Sequence, residues 1–453
     1  MALNFAIAPA VEGTNAPPIP KAQAWARSYL SNSPSLPLLD LSQGVPRDAP
    51  HPAVLSALAD ASSDPSSARY GPILGEPSLR EAVAEEIRVQ YGLQGHSAPN
   101  GNGHGEDPKP TLTAENVGIT TGCNMAFLTL LMALCPPGSS ILLPLPAYFN
   151  NSMCLSLQSV TPLHIPTDPS NSFLPDISAA RARLLSADGK SVRMIVLITP
   201  NNPTGSVMPP KVIREWYDLA REFGVALVLD ETYRDFVEGE GGQRGKPHDL
   251  FGLDDWGSTL VSLGSFSKGY RIPGHRLGSI IAAPALLKHI TTICDCMQIC
   301  APRPPQIALG PLLPALRPDL LSSSSALSSR RRLFHKTIDS VPGWSVASSG
   351  GFFAYVSYPL EYVTSGTVIG KTRKLGSEDV ARELASCVGV ITLPGAFFMP
   401  DLGSPDWEGL KGGEQLQEDR WLRFAVANVD DEVVVQLGPR LRRMNELMGM
   451  IDE

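Results

Sequence analysis

The stretch Ser265-Phe266-Ser267-Lys268-Gly269-Tyr270-Arg271-Ile272-Pro273-Gly274-His275-Arg276-Leu277-Gly278 decides the fold, and it directly follows the apolar run Leu260–Leu263. Such a short run, bounded by turn residues, predicts a buried strand. A lysine among small residues at the end of a buried strand can be desolvated, which lowers its pKa and makes its amine nucleophilic. Arg276 offers a planar set of donors that suits a phosphate. On these residues alone, a solvated surface loop is an equally good interpretation.

The tetrapeptide Ser265–Lys268 also matches the Ser-x-x-Lys motif of serine β-lactamases and penicillin-binding proteins. Those enzymes additionally need the motifs Ser-Asp-Asn and Lys-Thr-Gly. The sequence has Lys371-Thr372-Arg373 and contains no Ser-Asp-Asn. Because the pattern of strands and helices is also that of a different fold, a serine hydrolase is disfavoured.

Outward from this stretch, short apolar runs alternate with helical segments. Further runs predicted to be strands are Val117–Thr120, Ile141–Leu143, Met194–Thr199, Ala226–Leu229 and Ser279–Ala282. Segments predicted to be helices are Ser78–Gln90, opening with the capping box Ser78-Leu79-Arg80-Glu81, then Asn124–Cys135 and Lys211–Phe223. Fully apolar strands separated by helices predict an α/β fold whose mostly parallel sheet is covered on both faces.

The two ends of the chain follow a different pattern. From about Arg331 onward, helices at 378–387 and 431–448 are mixed with two-sided strands at 351–356 and 421–426, which predicts a smaller α+β domain. Residues 1–36 are rich in Pro, Ala and Ser and predict an irregular arm. The expected organisation is an arm over 1–46 that completes part of the small domain, a large domain over 47–305 and a small domain over 306–453. Polar, Gly-rich stretches at 94–110 and around 403–417 predict surface loops.

Composition excludes several classes of protein. Of the 453 residues, 43% are hydrophobic and 18% charged, so a large core is expected and global disorder is excluded. A net charge of −8 without any basic block argues against nucleic-acid and membrane partners. The seven cysteines and the lack of a charged leader predict a reduced, cytoplasmic protein. No metal is expected, because the Cys294, Cys296 and Cys300 cluster has no accompanying histidines.

Four further segments place functional groups at the ends of predicted strands. Asp230, in Val225–Tyr233, ends an apolar strand, where a carboxylate is costly unless it has a cation such as a protonated pyridine nitrogen. Asn202 is held by the two prolines of Thr199–Gly205, and Thr121-Gly122-Cys123 offers backbone N–H groups to a phosphate. Pro146-Ala147-Tyr148 offers an aromatic face. Taken singly, each of these segments is explained equally well as an ordinary turn or cap.

Together and in this order, the segments resemble those of the class I/II aminotransferases, fold type I enzymes that depend on pyridoxal 5′-phosphate (PLP). The resemblance runs from Leu41-Ser42-Gln43-Gly44-Val45-Pro46 to Arg423, through TGC, PAY, NNPTG, DETY, SFSK and Arg276. It implies a homodimer with a large PLP-binding domain, which transfers an amino group between an amino acid and a 2-oxo acid. The motifs leave open eliminations, replacements, cyclisations and oxidations. A transcription regulator with an aminotransferase-like domain is disfavoured, because residues 1–46 are too Pro-rich and too poor in basic residues for a helix-turn-helix.

The resemblance implies a role in cofactor binding for most of the matching residues. Lys268 corresponds to the lysine that bonds to PLP and then carries the α-proton, and Asp230 to the partner of the pyridine nitrogen. Tyr233 and Asn202 correspond to hydrogen-bond partners of the phenolic oxygen, and Tyr148 to the aromatic residue stacked on the ring. The residues implied at the phosphate are Gly122, Cys123, Ser265, Ser267 and Arg276, with Tyr70 reaching the phosphate of the neighbouring subunit.

Three residues are implied at the substrate. Arg423, in Trp421-Leu422-Arg423-Phe424-Ala425, corresponds to the arginine that clamps the α-carboxylate. Gly44 is expected to lie against the substrate through its backbone, and Asn202 to contact it as well. Arg303, after the cysteine cluster, is a further candidate for substrate contact. Two positions depart from the family pattern, namely Cys123, where a smaller residue is usual, and His275 before Arg276.

Overall fold

The computed structural model describes residues 3–32, 35–93, 112–239, 244–359, 375–400 and 419–448. The α-helices of these ranges are α1 Pro9–Glu12, α2 Pro18–Trp25, α3 Arg27–Ser31, α4 Pro52–Ser63, α5 Pro77–Gln90, α6 Cys123–Leu134, α7 Phe149–Leu157, α8 Ile177–Leu185, α9 Pro210–Phe223, α10 Phe266–Gly269, α11 Pro284–Met297, α12 Arg303–Leu309, α13 Arg317–Asp339, α14 Ser377–Cys387 and α15 Asp431–Leu447. The strands are β1 Leu39–Asp40, β2 Val117–Thr120, β3 Ser140–Pro144, β4 Thr161–Ile165, β5 Thr167–Asp168, β6 Leu174–Pro175, β7 Val192–Ile198, β8 Ala226–Asp230, β9 Leu260–Ser265, β10 Gly278–Ile281, β11 Ser345–Gly350, β12 Phe353–Ser357, β13 Val390–Ile391, β14 Leu393–Pro394 and β15 Trp421–Ala425. The predicted loops at 94–110 and 403–417 lie outside the described residues.

Seven strands form the large sheet, in the order β2-β10-β9-β8-β7-β3-β4. β10 is antiparallel to both of its neighbours, and the other pairs are parallel. This confirms the mostly parallel sheet. Since β2 and β9 both run opposite to β10, their C-terminal ends lie at the same edge of the sheet as those of β7 and β8.

Both faces of the large sheet are covered, as the apolar strands predict. Leu227 and Leu229 of β8 share one core cluster with Trp216 of α9. Val228, which points to the opposite face, packs in another cluster with Leu130 of α6. Each fully buried side chain of this size contributes about 1.5–3 kcal/mol to folding. The central strands β7, β8 and β9 are mostly apolar along their length, and β8 and β9 end at the polar residues Asp230 and Ser265.

The C-terminal part builds a second, antiparallel sheet in the order β11-β12-β15-β14. Its core joins Phe424 of β15 to side chains of α13, α14 and α15, among them Phe334, Leu384 and Leu437. β1 pairs in parallel with β13, with Leu39 opposite Val390, so the N-terminal arm is attached to this part of the molecule.

Two expectations about local structure are wrong. α5 begins at Pro77 with Glu76 as its N-cap and has no side-chain cap, so Ser78 lies inside the first turn and forms no capping box. Proline fits the first helical position because the N–H group that it lacks would have no partner there. For the same reason the prolines of the arm start helices: α1 begins at Pro9 and α2 at Pro18, where an irregular arm is predicted.

The described residues also bear on membrane, metal and disulfide chemistry. None of the described helices is both long and apolar enough to cross a membrane. No group of three or more His, Cys, Asp or Glu in the described ranges has an arrangement that could hold a metal ion. All seven cysteines are described, and each is a free thiol.

Candidate active site

The edge at which the parallel strands end gathers the predicted site residues. β8 ends at Asp230, and β9 ends at Ser265, just before Lys268. β10 starts at this edge, because Gly278 lies opposite both Thr120 and Ser265. The antiparallel direction of β10 therefore brings Arg276 back to the strand ends. Open α/β sheets bind their ligands at this edge.

A cavity of about 160 Å³ opens at this edge. Its lining residues are Cys123, Asn124, Tyr148, Ile198, Asn202, Asp230, Thr232, Tyr233, Ser265, Ser267, Lys268 and Arg276. Most of the predicted cofactor residues are thus brought together. Asn124, Ile198 and Thr232 are additions, and Thr232 could have been found from its place between Asp230 and Tyr233. Tyr70 does not line this cavity, and 79% of its surface is exposed.

Lys268 projects its amine into this cavity. Its Nζ donates a hydrogen bond to the carbonyl oxygen of Gly44 at 2.6 Å. Burial, with additional repulsion from Arg423 and Arg276, lowers the pKa of Lys268 to about 8. A side chain on residue 44 would force the ring of Phe353 to move, because a Cβ atom would lie 2.4 Å from its Cζ. In the structure the backbone carbonyl of Gly44 contacts the amine of Lys268, and its contact with the substrate stays a prediction.

Asp230 is a buried carboxylate without a cation. Its Oδ1 accepts a hydrogen bond from the backbone N–H of Thr232 at 3.0 Å, and the Sγ of Cys123 lies 3.8 Å away. No cationic side chain of the described residues lies within ion-pair distance. Burial raises the pKa of this carboxyl group. A protonated ring nitrogen in the cavity would supply the missing charge.

Arg423 is the opposite case, a buried guanidinium without an acid. Only 2% of its surface is exposed, and burial lowers its pKa to about 10. It donates from Nη1 to Oδ1 of Asn202 at 3.0 Å and from Nη2 to the carbonyl of Ser42, while its Nε has no partner. The rings of Phe353 and Phe398 lie 4.6 and 5.3 Å from the guanidinium. No carboxylate in the described part of the chain lies within ion-pair distance of it.

The N-terminus of α6 and Arg276 form a cradle for an anion. Gly122 is the N-cap with φ of 81°, and a Cβ atom on it would lie 2.4 Å from Nη2 of Arg276. The close approach of the backbone therefore requires glycine here. Ser265 caps the next short helix by accepting from the backbone N–H of Ser267 at 3.2 Å. Helix N–H groups, two hydroxyls and a guanidinium suit a phosphate.

Two phenols complete the wall. Burial raises the pKa of Tyr148 and that of Tyr233, so both hydroxyl groups stay protonated and able to donate. The ring of Tyr233 packs against Phe352 and Phe353, with centroids 5.2 and 5.4 Å apart. An amine, a carboxylate, an anion cradle and an aromatic wall in one cavity fit the aldehyde, ring nitrogen, phosphate and ring of PLP.

Arg303 and His275 lie outside the cavity. Arg303 Nε donates to the Glu76 carboxylate at 2.6 Å, and Nη1 donates to the carbonyls of Ser66 and Arg69 at 2.6 and 3.2 Å. The interpretation of Arg303 as a substrate contact is therefore not supported; it anchors the segment that carries Tyr70. His275 is exposed and has no place in the lining.

Behind the cavity lies a buried polar network that the sequence analysis missed. Glu231 accepts hydrogen bonds from the hydroxyls of Tyr91 and Ser262, and His248 Nε2 lies 3.4 Å from it. Burial alone would raise the pKa of Glu231, but His248, Arg234 and Ser262 together lower it to about 2. The acidic pair at positions 230 and 231 was a usable signal, since adjacent residues at a strand end face opposite ways.

The sequence matches the family model described as aminotransferase class I and II over residues 37–440. One similar protein is the aromatic aminotransferase ISS1 of Arabidopsis thaliana, 29% identical over 266 residues, which are 58% of this chain and 60% of that protein. Less than two thirds of that relative is thus covered. An aspartate aminotransferase of Pyrococcus horikoshii is 26% identical over 375 residues, covering 80% of this chain and 83% of the relative.

Solved structures share the whole fold. Bna3p of Saccharomyces cerevisiae superposes with a TM-score of 0.81 at 18% identity, covering 98% of this chain and 99% of the other. A double mutant of the aspartate aminotransferase of Thermus thermophilus gives 0.77 at 20% identity, covering 97% and 99%. These likenesses confirm the predicted α/β architecture of fold type I.

Proposed function

From the premise that this chain belongs to the class I and II aminotransferase family, whose members depend on PLP, we propose that it moves an amino group from an amino acid to a 2-oxo acid in the cavity around Lys268. Relatives named as aspartate and aromatic aminotransferases support this reaction. Elimination, replacement, cyclisation and oxidation are not favoured by these relatives.

One observation supports the proposal most directly. Two buried and oppositely charged groups, Asp230 and Arg423, each lack an ionic partner, and both belong to the surroundings of the buried amine of Lys268. An unpaired buried charge costs several kcal/mol, so such groups persist where a ligand completes them. A cationic ring nitrogen and a substrate carboxylate are the two charges required.

The residues that would hold PLP are those of the cavity. Asp230 would hold the protonated ring nitrogen, Arg276 and the α6 N-terminus would hold the phosphate, and Lys268 would hold the aldehyde. When bound, PLP supplies an electron-withdrawing ring that stabilises negative charge at the substrate Cα. Tyr148 lies where it can cover a ring face, and the hydroxyl of Tyr233 can donate to a ring oxygen.

The remaining steps belong to the side chains. Arg423 grips the α-carboxylate through two parallel hydrogen bonds, which orients the Cα–H bond as well as binding the substrate. Asn202 holds the guanidinium through its carbonyl oxygen and keeps its NH₂ group for donation. Lys268 removes the α-proton at Nζ and returns it, and a pKa of about 8 leaves enough neutral amine near neutral pH for this role.

The cofactor assignment is tested first. The purified wild-type protein is expected to be yellow and to form a borohydride-stable link at Lys268, located by peptide mass spectrometry. The Lys268→Ala variant should lose this link while staying folded by circular dichroism. A reducible link at another lysine in the folded variant would contradict the assignment.

The reaction is tested by an amino-donor screen with product mass spectrometry. Transamination requires that each lost amino donor yields one 2-oxo acid and that each consumed acceptor yields one new amino acid. Free ammonia in the absence of an acceptor would instead indicate elimination or oxidation. Lys268→Ala is the blank for both measurements.

A homodimer is part of the proposal. Tyr70 lies outside the cavity of its own chain, on a segment fixed by Arg303, as expected of a residue that serves a second copy. The family resemblance implies that Tyr70 contacts the PLP phosphate of the neighbouring subunit.

A further inference from the structure

A second and larger cavity, of about 650 Å³, shares no lining residue with the cavity around Lys268 and is linked to it through contacts with Arg423 and Tyr148. It lies between the N-terminal arm and the small sheet. Its described walls come from the arm at residues 13–18, from the start of α7, from residues 395–400, and from Tyr355 and Trp421. Nothing in the proposed reaction accounts for this space.

The cavity begins beside Arg423. Tyr355 lies directly opposite Arg423 in the pairing of β12 with β15, so the two side chains share a face of the small sheet. Trp421 precedes Arg423 by two residues and points the same way. Phe398 lines the cavity and also packs on the guanidinium at 5.3 Å.

The cavity also borders the cofactor side. Phe149, another wall residue, follows Tyr148 in the chain, and their ring centroids are 4.9 Å apart. Phe149 in turn packs on Phe398 at 5.8 Å. A ligand whose carboxylate is held by Arg423 and whose Cα lies near Lys268 can therefore extend its side chain into this space.

The walls are aromatic and flat. Trp421 stacks on Tyr355 with centroids 5.8 Å apart and planes 11° from parallel. Two further aromatic side chains and two methionines also line the cavity: Phe149, Phe398, Met153 and Met399. Aromatic surfaces and thioethers pack well against an aromatic ring.

The charges in the walls disfavour an acidic side chain. Among the described lining residues the one cation is Lys21, and its Nζ is paired with Glu378 at 2.7 Å. A second carboxylate, that of Asp419, accepts from the backbone N–H of Ser377 at 2.9 Å. The net charge of these side chains is negative, so a second substrate carboxylate would be repelled instead of paired.

We infer that this cavity holds the side chain of the amino-acid substrate and selects a large, uncharged, aromatic side chain over an acidic one. The inference rests on the proposed aminotransferase function and narrows its substrate class. The family does not dictate this choice, because relatives of similar identity are named for aspartate as well as for aromatic substrates.

The first test is the reaction of the holoenzyme with single amino acids. The change in cofactor absorbance is used to measure its rate. L-phenylalanine and L-tyrosine should react with a kcat/KM at least about tenfold above that of L-aspartate, as expected from burying a ring in an apolar pocket. A second readout needs no turnover: 3-phenylpropionate should bind by titration calorimetry more tightly than succinate. Equal or greater preference for aspartate and succinate overturns the inference.

Two variants test whether the preference for aromatic substrates arises in this cavity. Phe149→Ala should lower the ratio of kcat/KM for L-phenylalanine to that for L-alanine at least about fivefold, because only L-phenylalanine has a side chain that fills the cavity. Met153→Arg should weaken 3-phenylpropionate binding and strengthen succinate binding. Met297→Arg is the matched control, since Met297 is exposed at the end of α11 and lines neither cavity. Unchanged selectivity in both cavity variants contradicts the assignment.

The outcomes separate this inference from the proposed function. If no amino acid reacts and Lys268 forms no link, the proposed function fails. If amino acids react but the acidic ones are preferred, the function stands and the cavity assignment is wrong.

Discussion

The burial of Arg423 lowers the stability of the fold, and this cost indicates a functional role. Desolvation of a guanidinium costs several kcal/mol, and here two hydrogen-bond acceptors and two aromatic rings offset only part of it. Pure selection for stability favours an apolar residue at such a position. A residue kept there at a cost is expected to act on a ligand.

The Arg423→Lys variant tests that role. Lysine keeps the positive charge but lacks the planar pair of N–H donors that binds both carboxylate oxygens. The kcat/KM for amino acids should therefore fall about 10- to 100-fold, the range of one or two hydrogen bonds to a charged group. Cofactor absorbance and melting temperature should stay close to those of the wild type. Amines without a carboxylate serve as the comparison in steady-state kinetics, and an equal loss for them would make Arg423 a structural residue.

The pKa of Lys268 predicts a pH dependence. Because burial lowers this pKa to about 8, the amine becomes neutral as the pH rises through 8. A solvated lysine does so only near 10.4. The rate at which the cofactor-free protein takes up PLP, followed by absorbance between pH 6 and about 9.5, should therefore rise and level off near 8. A rate that still climbs steeply above pH 9 would contradict the lowered pKa.

At this scale the sequence was informative because chemistry restricts residue type. Lys268, Asp230 and Arg423 stand next to predicted apolar strands, where a charged side chain is unusual, and the structure buries Arg423 fully and the other two partly. Arg303 illustrates the limit. Its neighbours gave no hint of Glu76, which lies more than two hundred positions away and pairs with it.

The strands and helices for which bounds were predicted begin and end within about two residues of the observed ones, and the errors that remain concern how a helix is started. α9 begins at Pro210 and ends at Phe223, as its apolar periodicity indicates. The start of α5 was misjudged because Ser78 and Glu81 fit a capping box in sequence, while Pro77 already fixes the helical backbone one residue earlier. The arm helices were not predicted from composition, because a proline at the first position of a helix cannot be distinguished by composition from a proline that prevents a helix.

The N-terminal turn of α6 yields a prediction with an internal control. Gly122 and Gly138 both have a positive φ, of 81° and 84°, but an added Cβ meets Arg276 at 2.4 Å in the first case and nothing within 4 Å in the second. Both alanine variants bear backbone strain of about 1–2 kcal/mol. Gly122→Ala should in addition lose its cofactor on dialysis, with a dissociation constant at least about tenfold higher.

Absorbance after dialysis and thermal melts distinguish the two effects. Gly138→Ala should melt a few degrees lower with full cofactor content. If the two variants retained PLP equally, the contact between the α6 turn and Arg276 would have no part in phosphate binding.

For the whole molecule, the proposed dimer predicts complementation between two inactive variants. Lys268→Ala and Tyr70→Ala subunits, co-expressed with different tags and purified through both, form hybrids with one site that has both residues. Such hybrids should recover about half of the wild-type activity per dimer if Tyr70 serves the neighbouring subunit.

Each variant alone, carried through the same double purification, is the baseline. Hybrids no more active than the Tyr70→Ala protein would indicate that Tyr70 acts in the active site of its own chain. A monomer in sedimentation velocity at assay concentration would exclude sharing altogether.

The arrangement of the whole chain was the least predictable level. The alternation of strands and helices indicated the parallel sheet, yet nothing local showed that β10 would be inserted antiparallel between β2 and β9. The same holds for contacts between distant segments, such as that between Ser42 and Arg423. Such contacts depend on the packing of complete layers, which periodicity does not encode.

The attachment of the arm to the C-terminal part has a consequence for biosynthesis. Leu39 pairs with Val390, which emerges from the ribosome about 350 residues later, and Arg440, later still, binds the carbonyl of Pro37. At about 5–20 residues per second, the arm waits for roughly 20–70 seconds after its own synthesis. During this time the large sheet can assemble, while Tyr29, Leu39 and Leu41, buried in the finished protein, remain uncovered on the nascent chain and available to chaperones.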